Sequence, residues 1–144
     1  MNLRRWKYED ILRISELEKE CFPQEPWSYR MLADSFENEN FIGVLCDDGG
    51  EIAGYGGLTL GYDTADIDNI AVSESYRGGG IGGAMLEWLV AAAAERGMTR
   101  VFLEVRVSNS RAMALYLKHN FKGVYARTRY YTDGEDCLVM AREI

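Results

Sequence analysis

Two spacings of apolar residues take turns along this chain, and each change of spacing marks a change of element. Leu3 to Lys7 reads as a short strand. From Tyr8 to Glu20 the apolar residues Ile11, Leu12, Ile14 and Leu17 recur at helical spacing. Pro23 and Pro26 break that helix, and Ser28 is placed to cap a second one running to about Asn38. Phe41 to Cys46 predicts a strand, Asp47-Asp48-Gly49-Gly50 a hairpin turn, and Glu51 to Leu60 the returning strand. Ala65 to Val72 predicts a fourth strand, and a helix follows from about Ile81 to Arg96, stopped by Gly97. Thr99 to Val105 is β-branched and aromatic, a fifth strand; Ser108 or Asn109 caps a helix to about His119. Lys122 to Tyr130 and Cys137 to Ala141 read as closing strands around the turn Thr132-Asp133-Gly134-Glu135. The order β-α-α-β-β-β-α-β-α-β-β predicts a mixed α/β fold, with residues 1–144 as one domain.

Composition narrows what such a domain can do. The 144 residues are 47% apolar and 27% charged, with 16 Lys+Arg against 23 Asp+Glu and a net charge of −7. That balance argues against gripping nucleic acid through a broad basic surface, yet leaves room for a small pocket that takes an anionic ligand, or for a basic peptide substrate. Cys21, Cys46 and Cys137 are far apart, and His119 is the sole histidine, so neither a disulfide scaffold nor a Cys/His metal site is expected. The basic start through Lys7 runs into Tyr8-Glu9-Asp10 rather than an apolar core, unlike a signal peptide. The longest apolar run, Trp88 to Ala94, is far below the roughly 20 residues that span a bilayer. A soluble cytoplasmic protein with no membrane partner is the expectation.

One local bias stands out: Gly78, Gly79, Gly80, Gly82 and Gly83 lie between a strand and a helix. Glycine lets the backbone approach an anion closely, and the first N–H groups of a helix are unpaired. Three phosphate motifs compete for this segment. Gly78 and Gly83 have P-loop spacing, but Ala84 and Met85 stand where Lys and Ser/Thr are needed, which excludes nucleotide hydrolysis. Gly78, Gly80 and Gly83 satisfy the dinucleotide fingerprint, with Glu104 as a distant acid. Ser73 to Arg77 nevertheless intervene between strand and first glycine, and too little chain follows Glu104 to complete a doubly wound sheet; this reading stands second. The third pattern, Arg/Gln-x-x-Gly-x-Gly/Ala, is met by Arg77, Gly80 and Gly82 after Asn69-Ile70-Ala71-Val72. Here the chain resembles the GNAT acetyltransferases, in which this segment receives the pyrophosphate of acetyl-CoA.

Further blocks are similar to the RimI-type ribosomal-protein alanine acetyltransferases of that superfamily. They are Phe22 with Pro26-Trp27-Ser28, Leu103-Glu104-Val105-Arg106 with Ser108-Asn109, Ala114-Leu115-Tyr116, Asn120-Phe121, Arg129-Tyr130-Tyr131, and Glu135-Asp136 before Met140. The resemblance implies the GNAT fold, a mixed and mostly antiparallel sheet flanked by helices, and acetyl-CoA as donor with no metal. Two positions depart from the family pattern. His119-Asn120-Phe121 replaces acid-Gly-Phe, although Asn tolerates the left-handed conformation glycine supplies. Gly78 stands where relatives often carry arginine.

The resemblance also assigns roles. Glu104, at the carboxyl end of the fifth strand, is the expected general base; its plain structural alternative is a surface ion pair. A free α-amine has a pKa of about 7.7–8.0 and a lysine about 10.4, so a single carboxylate suits an N-terminal amine better than lysine. Tyr116 is the expected acid, on a helix face shared with Asn109, Ala112 and Met113. A phenol near pKa 10 protonating a thiolate near 8.5 runs uphill by about 2 kcal/mol, which favours hydrogen bonding over full transfer. Main-chain groups of Arg77, Gly78, Gly79, Gly80, Ile81, Gly82 and Gly83 would cradle the pyrophosphate. Asn109 would bond the pantetheine or nucleotide portion, and Ile70, Ala71 and Val72 would pair with pantetheine as an added strand does. Trp27 and one of Tyr130 and Tyr131 would wall the acceptor groove, since neighbours in a strand face opposite ways. Asp63, Asp66, Glu135 and Asp136 would attract a basic peptide or merely face solvent, while Trp88 and Phe102 read as core. The implied reaction is acetylation of a protein N-terminal α-amine, with the N-terminal alanine of small-subunit ribosomal protein eighteen as target. Two rivals remain: acetylation of a small amine or lysine, and a non-catalytic acyl-CoA-binding module that regulates a partner.

Overall fold

A computed structural model describes residues Met1–Ile144. Seven strands form one sheet: β1 (Asn2–Arg5), β2 (Phe41–Asp48), β3 (Glu51–Leu60), β4 (Thr64–Val72), β5 (Arg100–Arg106), β6 (Lys122–Arg127) and β7 (Cys137–Glu143). Their order across the sheet is β1-β2-β3-β4-β5-β7-β6. Every neighbouring pair is antiparallel except β4 and β5. Four helices flank the sheet: α1 (Ile11–Cys21), α2 (Tyr29–Glu37), α3 (Ile81–Glu95) and α4 (Ser110–Lys118). This is the mixed α/β architecture expected from the alternation of spacings.

The two faces of the sheet carry separate cores. On one, α3 lays Met85, Leu86, Leu89 and Val90 against Val44, Leu58, Val101 and Leu103. Each such fully buried side chain contributes roughly 1.5–3 kcal/mol. On the other face Ile11, Ile14 and Leu17 of α1 and Leu32 of α2 pack with Trp6, Leu45, Tyr55 and Ala71. Leu12 is 59% exposed: it lies about 100° around α1 from Ile11, outside the stripe that meets the sheet. The first turn before α1, Tyr8–Asp10, is a 3-10 helix whose Asp10 carboxylate accepts from the Lys7 N–H and the Arg4 guanidinium. Ser28 caps α2 through the Met31 N–H, as its position suggested.

The feature that opens a site is the parallel pair. β4 and β5 are in register only at Thr64↔Arg100, Ala65↔Val101 and Asp66↔Phe102. Immediately beyond, the β3–β4 register slips between Gly57 and Leu58, which leaves Asp68 as the extra residue of a bulge. From there to Val72 the β4 edge has no strand partner on the β5 side. The sheet therefore splits along its middle. A continuous ladder here would have closed the molecule.

Two sequence expectations change at the C-terminal end. The strand expected to reach Tyr130 stops at Arg127, and Arg129 takes a left-handed φ of 49°. The last strand runs on to Glu143, paired with Arg100. Asn120 does adopt the left-handed conformation, at φ 70°, and ends α4 where a glycine was expected in relatives.

Candidate active site

A trough runs through the split, formed by three cavities that share walls. The first, about 480 Å³, lies between the end of β4 and the start of α3 and is lined by Val72, Arg77, Gly78, Gly80 and Gly82. The middle cavity, about 520 Å³, has Ile70, Glu104, Asn109 and Tyr116 in its wall. The third, about 1020 Å³, opens among Asp66, Asp68, Phe102, Glu104, Arg127 and Tyr130. Tyr116 borders the first two and Glu104 the last two.

The glycine segment builds its end of the trough from main chain. Gly78 and Gly80 both have φ of 85°, where a Cβ would be strained, and Gly80 is the residue before α3. The first helical bond joins the Ala84 N–H to the Gly80 carbonyl at 3.0 Å. The N–H groups of Ile81, Gly82 and Gly83 thus point off the helix end without a helical acceptor. The Ile81 side chain faces the core, and Gly83 has a second reason to be glycine: a Cβ there would lie 2.6 Å from Nε2 of His119. His119 Nδ1 in turn lies 2.7 Å from Glu87 on α3, which joins the end of α4 to α3. Gly79 is exposed, and the Arg77 side chain folds back, Nε donating to the Val72 carbonyl at 3.1 Å.

The β4 edge offers alternate main-chain groups. The Ser73 N–H donates to the Ala53 carbonyl, and an antiparallel ladder alternates, so Ala71 bonds toward β3 while Ile70 and Val72 turn their groups to the trough. A molecule lying along this edge would meet Ile70 and Val72, not the main chain of Ala71. Asn109 spends its side-chain oxygen on the Ala112 N–H at 3.1 Å as the cap of α4, leaving the amide NH₂ for the trough. Ala112 and Tyr116 line the trough, but Met113 packs against the α3 core instead.

Glu104 and Tyr116 reach the middle cavity from opposite faces of the sheet. Leu103 and Val105 belong to the α3 core, so Glu104, between them on β5, points the other way. Tyr116 packs on the α3 side, its ring 6.1 Å from Phe121, and burial pushes its phenol up to about 12. That lengthens the climb for full proton transfer to a thiolate. Glu104 is 39% exposed; Oε2 lies 3.2 Å from Arg127 Nε, and Oε1 accepts from the Tyr130 hydroxyl at 3.0 Å. Each oxygen keeps a further lone pair for an incoming N–H.

The outer cavity corrects several expectations. Both Tyr130 and Tyr131 line it, because the strand has already ended and the alternation rule no longer applies. Their rings meet edge to face at 5.1 Å, and the Arg106 guanidinium lies 4.0 Å over Tyr131. Phe102, expected in the core, is on the Glu104 face and walls this cavity. Glu135 is occupied by Arg106 at 2.9 Å and the Ser108 N–H at 3.0 Å, and Asp136 by the Arg129 N–H, so both hold the turn rather than face the cavity. Asp63 contributes its carbonyl to the Thr99 N–H. Asp66 and Asp68 do face the cavity; burial pushes both carboxyls up, with Glu104 adding to Asp66. Trp88 is partly buried against the α3 core, and Trp27 walls the trough as expected.

Sequence reasoning passed over Arg127, Asp68 and Glu18. Glu18 had a signal: it shares the buried stripe of Ile11 and Ile14, where a charged side chain is out of place. No helix is long and apolar enough to cross a membrane, and no three His, Cys, Asp or Glu side chains converge as a metal would require.

The model of the acetyltransferase (GNAT) family matches residues 10–121. The chain is 37% identical over 144 residues to a putative [ribosomal protein bS18]-alanine N-acetyltransferase of Bacillus subtilis (strain 168), covering 96% of this chain and 92% of the relative. It is 36% identical over 122 residues to the [ribosomal protein bS18]-alanine N-acetyltransferase of Escherichia coli (strain K12), covering 83% of this chain and 82% of the relative. The crystal structure of the ribosomal-protein-S18-alanine N-acetyltransferase from Escherichia coli superposes with a TM-score of 0.91 at 32% identity, over 99% of this chain and 93% of that one.

Proposed function

The chain belongs to the acetyltransferase (GNAT) family, and from that premise we propose that it acetylates a protein N-terminal α-amine, with the N-terminal alanine of ribosomal protein bS18 as acceptor. That acceptor places the activity in the cytoplasm, where ribosomal proteins are made, with a basic ribosomal peptide and acetyl-CoA as partners and residues 1–144 as one catalytic domain. The observation that carries the reading is the split between β4 and β5, which lets Glu104 and Tyr116 line one cavity from opposite faces.

The residues divide the work along the trough. The segment from Arg77 to Gly83 supports the diphosphate of acetyl-CoA through unpaired N–H groups at the start of α3. Ile70 and Val72 pair with the pantetheine arm as a neighbouring strand would, and the Asn109 amide adds a donor. The Val72 N–H faces the carbonyl oxygen on which charge develops. Glu104 takes the proton of the amine, directly or through a water, and Tyr116 hydrogen-bonds the departing sulfur without having to lose its own proton. An α-amine is about a quarter neutral at pH 7.4, against about a thousandth for lysine, so one partly solvated carboxylate is sufficient for the first. The carboxylates of Asp66, Asp68 and Glu104 give the acceptor cavity the sign that suits a cationic peptide.

Mass spectrometry of a peptide panel incubated with acetyl-CoA tests this. Ala-initiated peptides should gain one acetyl group at the α-amine, ahead of polyamines, aminoglycosides and internal lysines. Acetylation confined to small amines or lysine would replace the acceptor. Tight acetyl-CoA binding with no thiol release from any amine would make the protein a binding module.

A further inference from the structure

We infer that Glu18 is a positioning residue for the acceptor: its buried carboxylate ties the loop between α1 and α2 to the sheet, and so sets the wall that an incoming N-terminus meets. The inference rests on the N-terminal acetyltransferase reading above. Glu18 is 1% exposed and makes no ion pair; its three partners are neutral donors from three other parts of the fold. Oε2 accepts from the main-chain N–H of Trp27 at 3.0 Å, and Oε1 accepts from the Tyr55 hydroxyl on β3 and from the Asn69 side-chain amide on β4. Asn69 follows the bulged Asp68 directly, and Trp27 walls both the middle cavity and the acceptor cavity.

The two oxygens do different jobs. Oε1 joins α1 to the sheet at the bulge, whereas Oε2 alone reaches the loop. Trp27 immediately precedes Ser28, the cap of α2, so its N–H marks where the loop ends and the helix begins. Elsewhere in the same loop, Glu25 is held by the exposed Thr132 and, at 3.8 Å, by the half-buried Arg106. Burying a carboxylate with no cation is costly unless donors reach its oxygens; here the donors are Tyr55 in the core, Asn69 in the wall of the middle cavity, and Trp27, which alone of the three also walls the acceptor cavity. In the donor cavity the loop contributes Phe22, whose N–H bonds the Glu18 main-chain carbonyl at 2.8 Å rather than its carboxylate.

Glu18→Gln separates the two jobs at constant shape. The amide oxygen can take the place of Oε1 and keep Tyr55 and Asn69. Its NH₂ then faces the Trp27 N–H, donor against donor, and the loop is released. The expected result, on a peptide that the wild type acetylates, is a rise of about 10-fold in the acceptor KM, with kcat and the acetyl-CoA KM within about 2-fold. Trp27→Ala should raise the same constant. The double variant should be no worse than the poorer single, because both remove one wall. Should Glu18→Gln not fold, Glu18→Asp retains the charge and shortens the reach, and it should again raise the acceptor KM alone. Additive effects of the two substitutions, an unchanged acceptor KM, or acceptor and acetyl-CoA constants rising together would overturn the inference. A wild type inactive on every N-terminal peptide would overturn the functional reading with it, which distinguishes the two failures.

Discussion

The two ends of the trough are made of different material. At the donor end the surface is mostly backbone: left-handed Gly78 and Gly80, the free N–H groups that open α3, and the unpaired edge of β4. At the acceptor end it is mostly side chains, Glu104, Arg127, Tyr130, Tyr131 and Asp66, the two tyrosines carried on a turn held by ion pairs to Arg106. Main-chain groups can hold only what every member of a family shares, a phosphate or an amide-bearing arm. Side chains can be exchanged without disturbing the fold, so under the proposed function acceptor choice would reside there. Substitutions at the acceptor end should therefore alter chemistry and acceptor constants, and those at the donor end the acetyl-CoA constant.

The largest expected break is Glu104→Gln. Loss of a general base should lower kcat/KM for an Ala-initiated peptide by about 100-fold or more, most strongly at low pH where neutral amine is scarce, while the acetyl-CoA Kd from calorimetry stays put. Equal loss at all pH values with weakened donor binding would erase the division between the ends.

Tyr116→Phe acts at the seam and should slow turnover by about 10-fold with donor affinity retained. Because burial raises the Tyr116 phenol to about 12, it stays protonated throughout the working range. The wild-type rate should rise with pH as the amine deprotonates and show no falling limb from this group below about pH 11; the Phe variant should keep that shape at a lower level. A large rise in the acetyl-CoA Kd would make Tyr116 a packing residue.

Gly80→Ala is the smallest test and the cleanest for the donor end. Nothing lies within 4 Å of the added methyl, so its cost is conformational, about 1–2 kcal/mol at a φ of 85°. The acetyl-CoA KM should rise several-fold, with the acceptor KM unchanged in steady-state assays. An effect on the acceptor constant instead would show that the two ends are coupled.

The parts legible in the sequence were those written in local chemistry. Ser28 as a cap, Asn120 in the left-handed region, the glycines ahead of α3 and the helical stripe of α1 all follow from a residue and its near neighbours. Local rules lose their hold where the element they describe has ended or where distant packing decides which face is buried. Strand alternation predicts opposite faces for Tyr130 and Tyr131, but the strand ends at Arg127; hydrophobicity predicts Phe102 in the core, but it lies on the Glu104 face of β5. Sequence places Ala71 with Ile70 and Val72, whereas the pairing with β3 turns its main chain away from the trough.

Alternating hydrophobicity and turn residues were enough to determine the seven strands and the four helices, and the family resemblance singled out Glu104 and Tyr116 as candidates. Only the tertiary structure decided that Glu104 and Tyr116 line one cavity. They arrive from opposite faces of the sheet, and the gap between them exists because β4 bulges at Asp68 and leaves β5 after three paired residues. Strand pairing is a contact between distant segments, set by how two cores pack on either side, and no window of sequence contains both partners.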